Sequence, residues 1–129
     1  MTLVPTASSK YIDWHDARVS AIAVRPRGKV DIEICRLEVY EEAQGDDLNF
    51  VAWAATLALD GVSAIRGLES GLGEGWIIDG RLAGPAGVEI EGALALGGVR
   101  VGVVEFVMNN GDRLSIDCER ASLVLTKMV

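Results

Sequence analysis

The chain has a single histidine, and carboxylates flank it: Asp13, Trp14, His15 and Asp16 stand in a row within "YIDWHDARV". If this stretch is a strand, alternation puts Asp13 and His15 on one face and Asp16 on the other. A carboxylate beside an imidazole fixes its tautomer, as a general base or a metal ligand requires. A metal site needs three or four ligands, and no second histidine exists; Asp79 or Asp117 would have to complete the set by folding. The residues therefore read as the entry to a sheet: His15 bonds backbone or a carboxylate, and Trp14 fills the mouth of the core. No catalytic residue and no metal ligand are assigned.

Other chemistries find less support. No G-x-S-x-G is present, and "LESGL" around Ser70 has one flanking glycine. "GLGEGW" at 71–76 resembles a phosphate loop in its glycines, but it lacks lysine and the following helix, and Glu69 and Glu74 repel phosphate. It reads as a connection. Paired carboxylates for glycoside chemistry carry little meaning in a chain with 19 acidic residues.

Binding offers more candidates. "EVYEEAQGDD" at 38–47 gathers Glu41, Glu42 and three further acids around Tyr40, a combination suited to a basic protein partner with the tyrosine as anchor. Trp53 lies on an apolar strand face and reads as core. Trp76, in "GWIIDG", reads as core or as a pocket wall. The candidate binding set is Asp13, Trp14, His15, Asp16, Tyr40, Glu41, Glu42 and Trp76, with no cofactor.

The bulk properties narrow the classes. At 129 residues one domain is expected, large enough to bury a core without disulfides or metals. A net charge of −7 speaks against nucleic acid and anionic membrane surfaces and permits a basic partner. No apolar run approaches the roughly 20 residues of a membrane helix. The opening "MTLVPTASSK" lacks the basic and apolar regions of a signal peptide, which points to a cytoplasmic protein. Cys35 and Cys118 have no metal or redox spacing and read as two buried thiols.

The elements that must position these residues follow from period-two patterning broken by turn signals. In "AIAVRPRGKVDIEI", Pro26 and the positive φ of Gly28 predict a three-residue loop that sets Arg25 opposite Lys29, Val24 opposite Val30 and Ile22 opposite Ile32. Asp60-Gly61 predicts a type I′ hairpin with Leu59 opposite Val62 and Leu57 opposite Ala64. The strand before it, 50–59, has a helical rival in Phe50, Trp53, Ala54 and Leu57. Gly97-Gly98 predicts a hairpin with Leu96 opposite Val99. A loop at 109–111 pairs Met108 with Asp112, Phe106 with Leu114 and Val104 with Ile116. Two strands change phase, one after Ile34 and one after Val103, which predicts a bulge or a passage between sheets. Residues 1–10 read as a loose lead-in to a single domain at 11–129. The fold expected is all-β, an antiparallel barrel or sandwich of about eight to ten short strands built from hairpins.

"WHDA" at 14–17, followed by a strand, a turn and a second strand, resembles uncharacterised small bacterial β proteins. These open with an aromatic-His-Asp-Ala/Ser signature and close with a hairpin like "EFVMNNGDRLSIDCERASLVL" at 105–125. Some of them are thought to be immunity proteins that neutralise a toxin. The resemblance implies a β domain without established activity and gives His15 and Asp16 a signature role. The reading is a non-catalytic interaction module, immunity-like, with an acidic surface for a basic partner. Its rivals are a small-molecule-binding barrel or small enzyme with a pocket near Asp13, His15 and Trp76, and a homo-oligomer that covers one sheet face.

Overall fold

In a computed structural model, which describes residues 3–5, 10–42, 48–67, 75–84 and 99–129, those residues form antiparallel strands and no helix. The strands are β1 (Leu3–Pro5), β2 (Lys10–Arg25), β3 (Lys29–Glu42), β4 (Leu48–Asp60), β5 (Ala64–Arg66), β6 (Gly75–Ala83), β7 (Val99–Arg100), β8 (Val103–Met108), β9 (Arg113–Asp117) and β10 (Arg120–Met128). Their hydrogen-bonded order is β5-β9-β8-β6-β2-β3-β4-β10-β7, with β1 on β2 beside that path. Among the described residues the path ends at β5 and β7 and does not close on itself.

Turn chemistry sets the two tightest hairpins. β2 and β3 pair Arg25 with Lys29, Val24 with Val30 and Ile22 with Ile32, as the pattern predicts. Gly28 takes φ +68°, and Arg27 beside it takes φ +66°, so two successive left-handed residues turn the chain. β8 and β9 pair Phe106 with Leu114 and Val104 with Ile116, and the Met108 amide donates to the Asp112 carbonyl at 2.8 Å.

The strands form two wings. One holds β1, β2, β3, β4, β10 and β7; the other holds β6, β8, β9 and β5. They join where Arg18 and Val19 of β2 pair with Trp76 and Gly75 of β6. They join again where the chain itself crosses, at Gly102 between β7 and β8 and at Cys118–Glu119 between β9 and β10. The Cys118 amide donates to the Gly102 carbonyl at 3.1 Å, and the Val101 amide to the Glu119 carbonyl at 3.0 Å, which ties the crossings together. Ile32, Leu37, Leu57 and Leu59 of one wing and Ile77, Phe106 and Ile116 of the other are buried in one continuous core. Each such side chain contributes about 1.5–3 kcal/mol relative to exposure.

Residues 48–60 are a strand rather than a helix. The Asp60-Gly61 hairpin does not form. β5 pairs with β9, because both edges of Leu59 are already taken, by Val30 of β3 and by Ala121 of β10. Gly61 instead carries the chain from one wing to the other at φ +66°. Cys35 is exposed, unlike the buried Cys118, and both are free thiols. The phase slip after Ile34 is real: the β3–β4 register shifts between Ile34 and Leu37, which turns Cys35 outward and returns Leu37 to the core. The predicted Gly97-Gly98 turn and the loop at 71–74 lie outside the described residues. Within the expected lead-in, Leu3–Pro5 pairs with Tyr11–Asp13.

Candidate binding site at the β2 bulge

The segment that drew attention in the sequence is where β2 departs from regular pairing. Its register with β3 runs to Asp13, breaks, and resumes at Arg18. Simple alternation fails across the gap: Trp14 and Ala17 are buried, while His15 and Asp16 between them are both exposed. Asp16 makes this possible by adopting φ +68°, a left-handed conformation that aspartate tolerates better than bulky residues. A bulge of this kind re-aims side chains. The expected split of His15 and Asp16 onto opposite faces is therefore corrected: His15 Nδ1 lies 3.2 Å from Asp16 Oδ2, in the open.

Trp14 anchors the bulge. It is 1% exposed, and its ring packs on Phe106 with centroids 5.4 Å apart and planes tilted by 47°. β6 crosses it at Gly80, where a Cβ would come within 2.6 Å of the Trp14 Cβ. Only glycine lets the indole sit so close to the strand. Among the described residues the buried Nε1 has no hydrogen-bond partner, a cost of about 1–3 kcal/mol that the ring's packing must offset.

Past the bulge, β2 meets β6 and Arg18 falls opposite Trp76. The Arg18 guanidinium carbon stands 5.9 Å from the Trp76 ring centroid, within cation–π range. The indole remains 45% exposed. Its backbone is held at both groups by the β8–β9 turn: the Trp76 amide donates to Asn109 Oδ1 at 3.3 Å, and the Asn109 amide donates to the Trp76 carbonyl at 2.9 Å.

Two shallow clefts share this Arg18–Trp76 pair. One, of about 310 Å³, is lined further by Asp16, Arg36 and Glu38. The other, of about 330 Å³, adds Val19, Ser20, Cys35 and Gly75. Arg36 Nη1 donates to Glu38 Oε1 at 3.1 Å on the β3 side. The first cleft thus sets two guanidiniums against two carboxylates around one indole. Such a surface offers stacking area and directional charged bonds together. The Cys35 thiol, at the edge of the second cleft, donates to the Arg18 carbonyl at 3.5 Å.

Of the residues singled out in the sequence, Asp16 and Trp76 meet in one cleft, His15 stands beside Asp16, and Trp14 lies beneath in the core. Asp13 pairs with Glu38 across the β2–β3 ladder, and Tyr40, Glu41 and Glu42 lie on β3. The side chains of Asp13, Tyr40, Glu41 and Glu42, and all of residues 43–47, lie outside the described part, so the proposed acidic patch has no described geometry. Sequence reasoning missed Arg18 and Arg36, and it placed Glu38 in the acidic stretch around Tyr40 rather than in this cleft. Alternation marks all three as outward-facing, but only the β2–β6 pairing reveals what they surround. Among the described residues, no group of three or more His, Cys, Asp or Glu side chains is placed to hold a metal ion. No helix among them is long and apolar enough to cross a membrane.

No known protein family, curated protein or solved structure matches the chain.

Proposed function

We propose that the protein is a non-catalytic binding module, and that it docks a protein partner on the surface centred on Trp76. The half-exposed Trp76, stacked by Arg18 and flanked by two clefts, is the observation that carries this reading. Tryptophan and arginine dominate binding hot spots because they bury much area and retain directional bonds. Asn109 and the β2–β6 pairing hold this pair on rigid strands, which lowers the entropy lost on docking. Left-handed Asp16 fits the same reading, since strain of about 1–3 kcal/mol tends to persist at sites where geometry matters. The net charge of −7 favours a basic partner, which electrostatic attraction would bring in faster. An immunity-like role in the bacterial cytoplasm is the setting we propose. The two wings are then the layers of a sandwich, with the docking surface where β2 passes from one to the other.

The test is a pull-down from native lysate with the wild type, Trp76→Ala, Arg18→Ala and the remote Val124→Ser. The expected result is a stoichiometric partner held by the wild type and Val124→Ser and lost from the two site variants, with all four melting alike. A partner that ignores both site substitutions refutes the location. Turnover of a small molecule by the wild type, with no partner retained, favours the rival reading of a small enzyme with a pocket near Asp13, His15 and Trp76.

A further inference from the structure

A second feature, sharing no residue with the Trp76 clefts, concerns Arg100 and Arg120. The two arginines are direct cross-strand partners in the β7–β10 ladder. Their neighbours Val101 and Ala121 are buried, so by alternation both guanidinium groups stand on the outer face, where both residues are exposed. Like charges directly opposite each other disfavour strand pairing. Elsewhere this acidic chain neutralises many of its cations: Arg25 pairs with Asp31, Lys29 with Asp60, Arg36 with Glu38, Arg66 with Asp117 and Arg81 with Glu105. The side chains of Arg100 and Arg120 make no hydrogen bond or ion pair among the described residues, although Asp60 of β4 lies opposite Arg120 on its other edge, where it pairs with Lys29.

Both arginines line a cleft of about 590 Å³, the largest of those described, with Val101, Gly102, Cys118 and Glu119. Glu119 is the one acid in that lining, beside two guanidinium groups. Its carboxyl carbon lies 2.8 Å from the place a Cβ on Gly61 would occupy, so it rests over the turn that leaves β4. The amides of Val101, Gly102, Cys118 and Glu119 all donate within the fold. The guanidinium groups are thus the donors left free to a ligand.

We propose that Arg100 and Arg120 form an anion site for a phosphate group, free or carried as the monoester of a small molecule. Two guanidinium forks on adjacent strands match the several oxygens of one tetrahedral dianion, each offering paired N–H donors. A bound dianion turns the cross-strand repulsion into attraction on both sides. The volume suits a small ligand with a phosphate at one end. The net charge of −7 disfavours anions over the surface as a whole, so binding here depends on the paired guanidinium groups.

The experiment is an NMR titration of the full ¹⁵N-labelled chain with inorganic phosphate and separately with phenyl phosphate, at constant ionic strength, reading the arginine Nε–Hε signals. The expected result is saturable shifts of the Arg100 and Arg120 signals, with those of Arg27 and Arg113 unmoved. Arg100→Gln with Arg120→Gln should weaken binding at least about tenfold, the scale of losing charge-assisted bonds. Tighter binding of phenyl phosphate identifies a monoester as the source of the phosphate, and tighter binding of inorganic phosphate identifies the free anion; either supports the site. A second variant keeps the proposal open to refutation without ligand. Among the described residues Arg100 faces Arg120 alone, whereas Arg120 also faces Asp60, so Arg100→Glu replaces the like-charge pair by an opposite one and should raise the melting temperature of the free protein while abolishing phosphate shifts. Non-saturating shifts, equal shifts at Arg113, or a lowered melting temperature for Arg100→Glu would overturn the proposal.

Discussion

Gly80→Ala tests how the bulge is anchored. A Cβ at position 80 would lie 2.6 Å from Trp14 Cβ, 2.9 Å from Trp14 Cγ and 3.0 Å from Phe106 Cδ1. Ordinary contact begins at 3.4 Å, so β2 and β6 must separate by about 0.8 Å or the indole must move. The nearest atom is the Cβ of Trp14, next to the backbone, so a rotamer change cannot relieve the clash. Overpacking of this kind costs roughly 1–3 kcal/mol. The φ of Gly80 is not left-handed, so alanine also narrows the unfolded ensemble, which returns about 0.4–1 kcal/mol. The net loss expected is about 1–2 kcal/mol, or a melting temperature lower by roughly 3–10 °C for a chain of this size. Urea unfolding followed by tryptophan fluorescence measures it, with an unchanged m-value expected. Gly111→Ala is the control: it takes φ +89° with nothing within 4 Å, so its cost is conformational alone. A Gly80→Ala protein as stable as the wild type would refute the close packing of Trp14 beneath β6, and with it the account of why the bulge holds its shape.

Further outcomes follow from the same geometry. Burial pushes the Cys118 thiol up from 9.0 to about 11, with Asp117 adding to the shift. The folded state then keeps a proton that the unfolded chain releases, so stability falls as pH rises between about 9 and 11. Cys118→Ala should flatten that limb when melting temperature is measured across the range. In thiol labelling at pH 8, Cys35 should react first, and Cys118 only as the protein unfolds. The hydrogen bonds from Arg66 hold the Asp117 carboxyl below its ordinary value. That contribution is present above the unfolded pKa and is lost as pH falls through the folded one. Asp117→Asn should therefore lower the melting temperature slightly at pH 7 and leave it unchanged near pH 2, and added salt should shrink the difference. Leu57→Ala, at a fully buried position, should cost about 2–5 kcal/mol in urea unfolding.

Local patterning carried much of the fold. Where turn and alternation agree, as at 25–29 and 108–112, the register came out residue for residue. The phase slips were legible because a period-two strand cannot change its buried face without a bulge or a change of sheet, although the second falls at Gly102, before Val103 rather than after it. Asp60-Gly61 misled because its local preference for a hairpin is weak beside the ladder bonds that β3 and β10 make to both edges of β4. Cys35 misled because the slip that was detected turns it outward, although its apolar neighbours suggest burial.

The candidate site divides in the same way. The amino-acid sequence by itself determined that this is a β protein and supplied Asp16 and Trp76 as candidates. These properties depend on side-chain type and on spacing within a few residues. Tertiary structure alone decided that Arg18 stacks on Trp76, that Arg36 and Glu38 border the same cleft, and that Arg100 stands opposite Arg120. These neighbours are joined by pairings between distant strands, 18 with 76 and 100 with 120. Such pairings depend on which edges remain open once the whole core is packed, a property no short stretch of sequence contains.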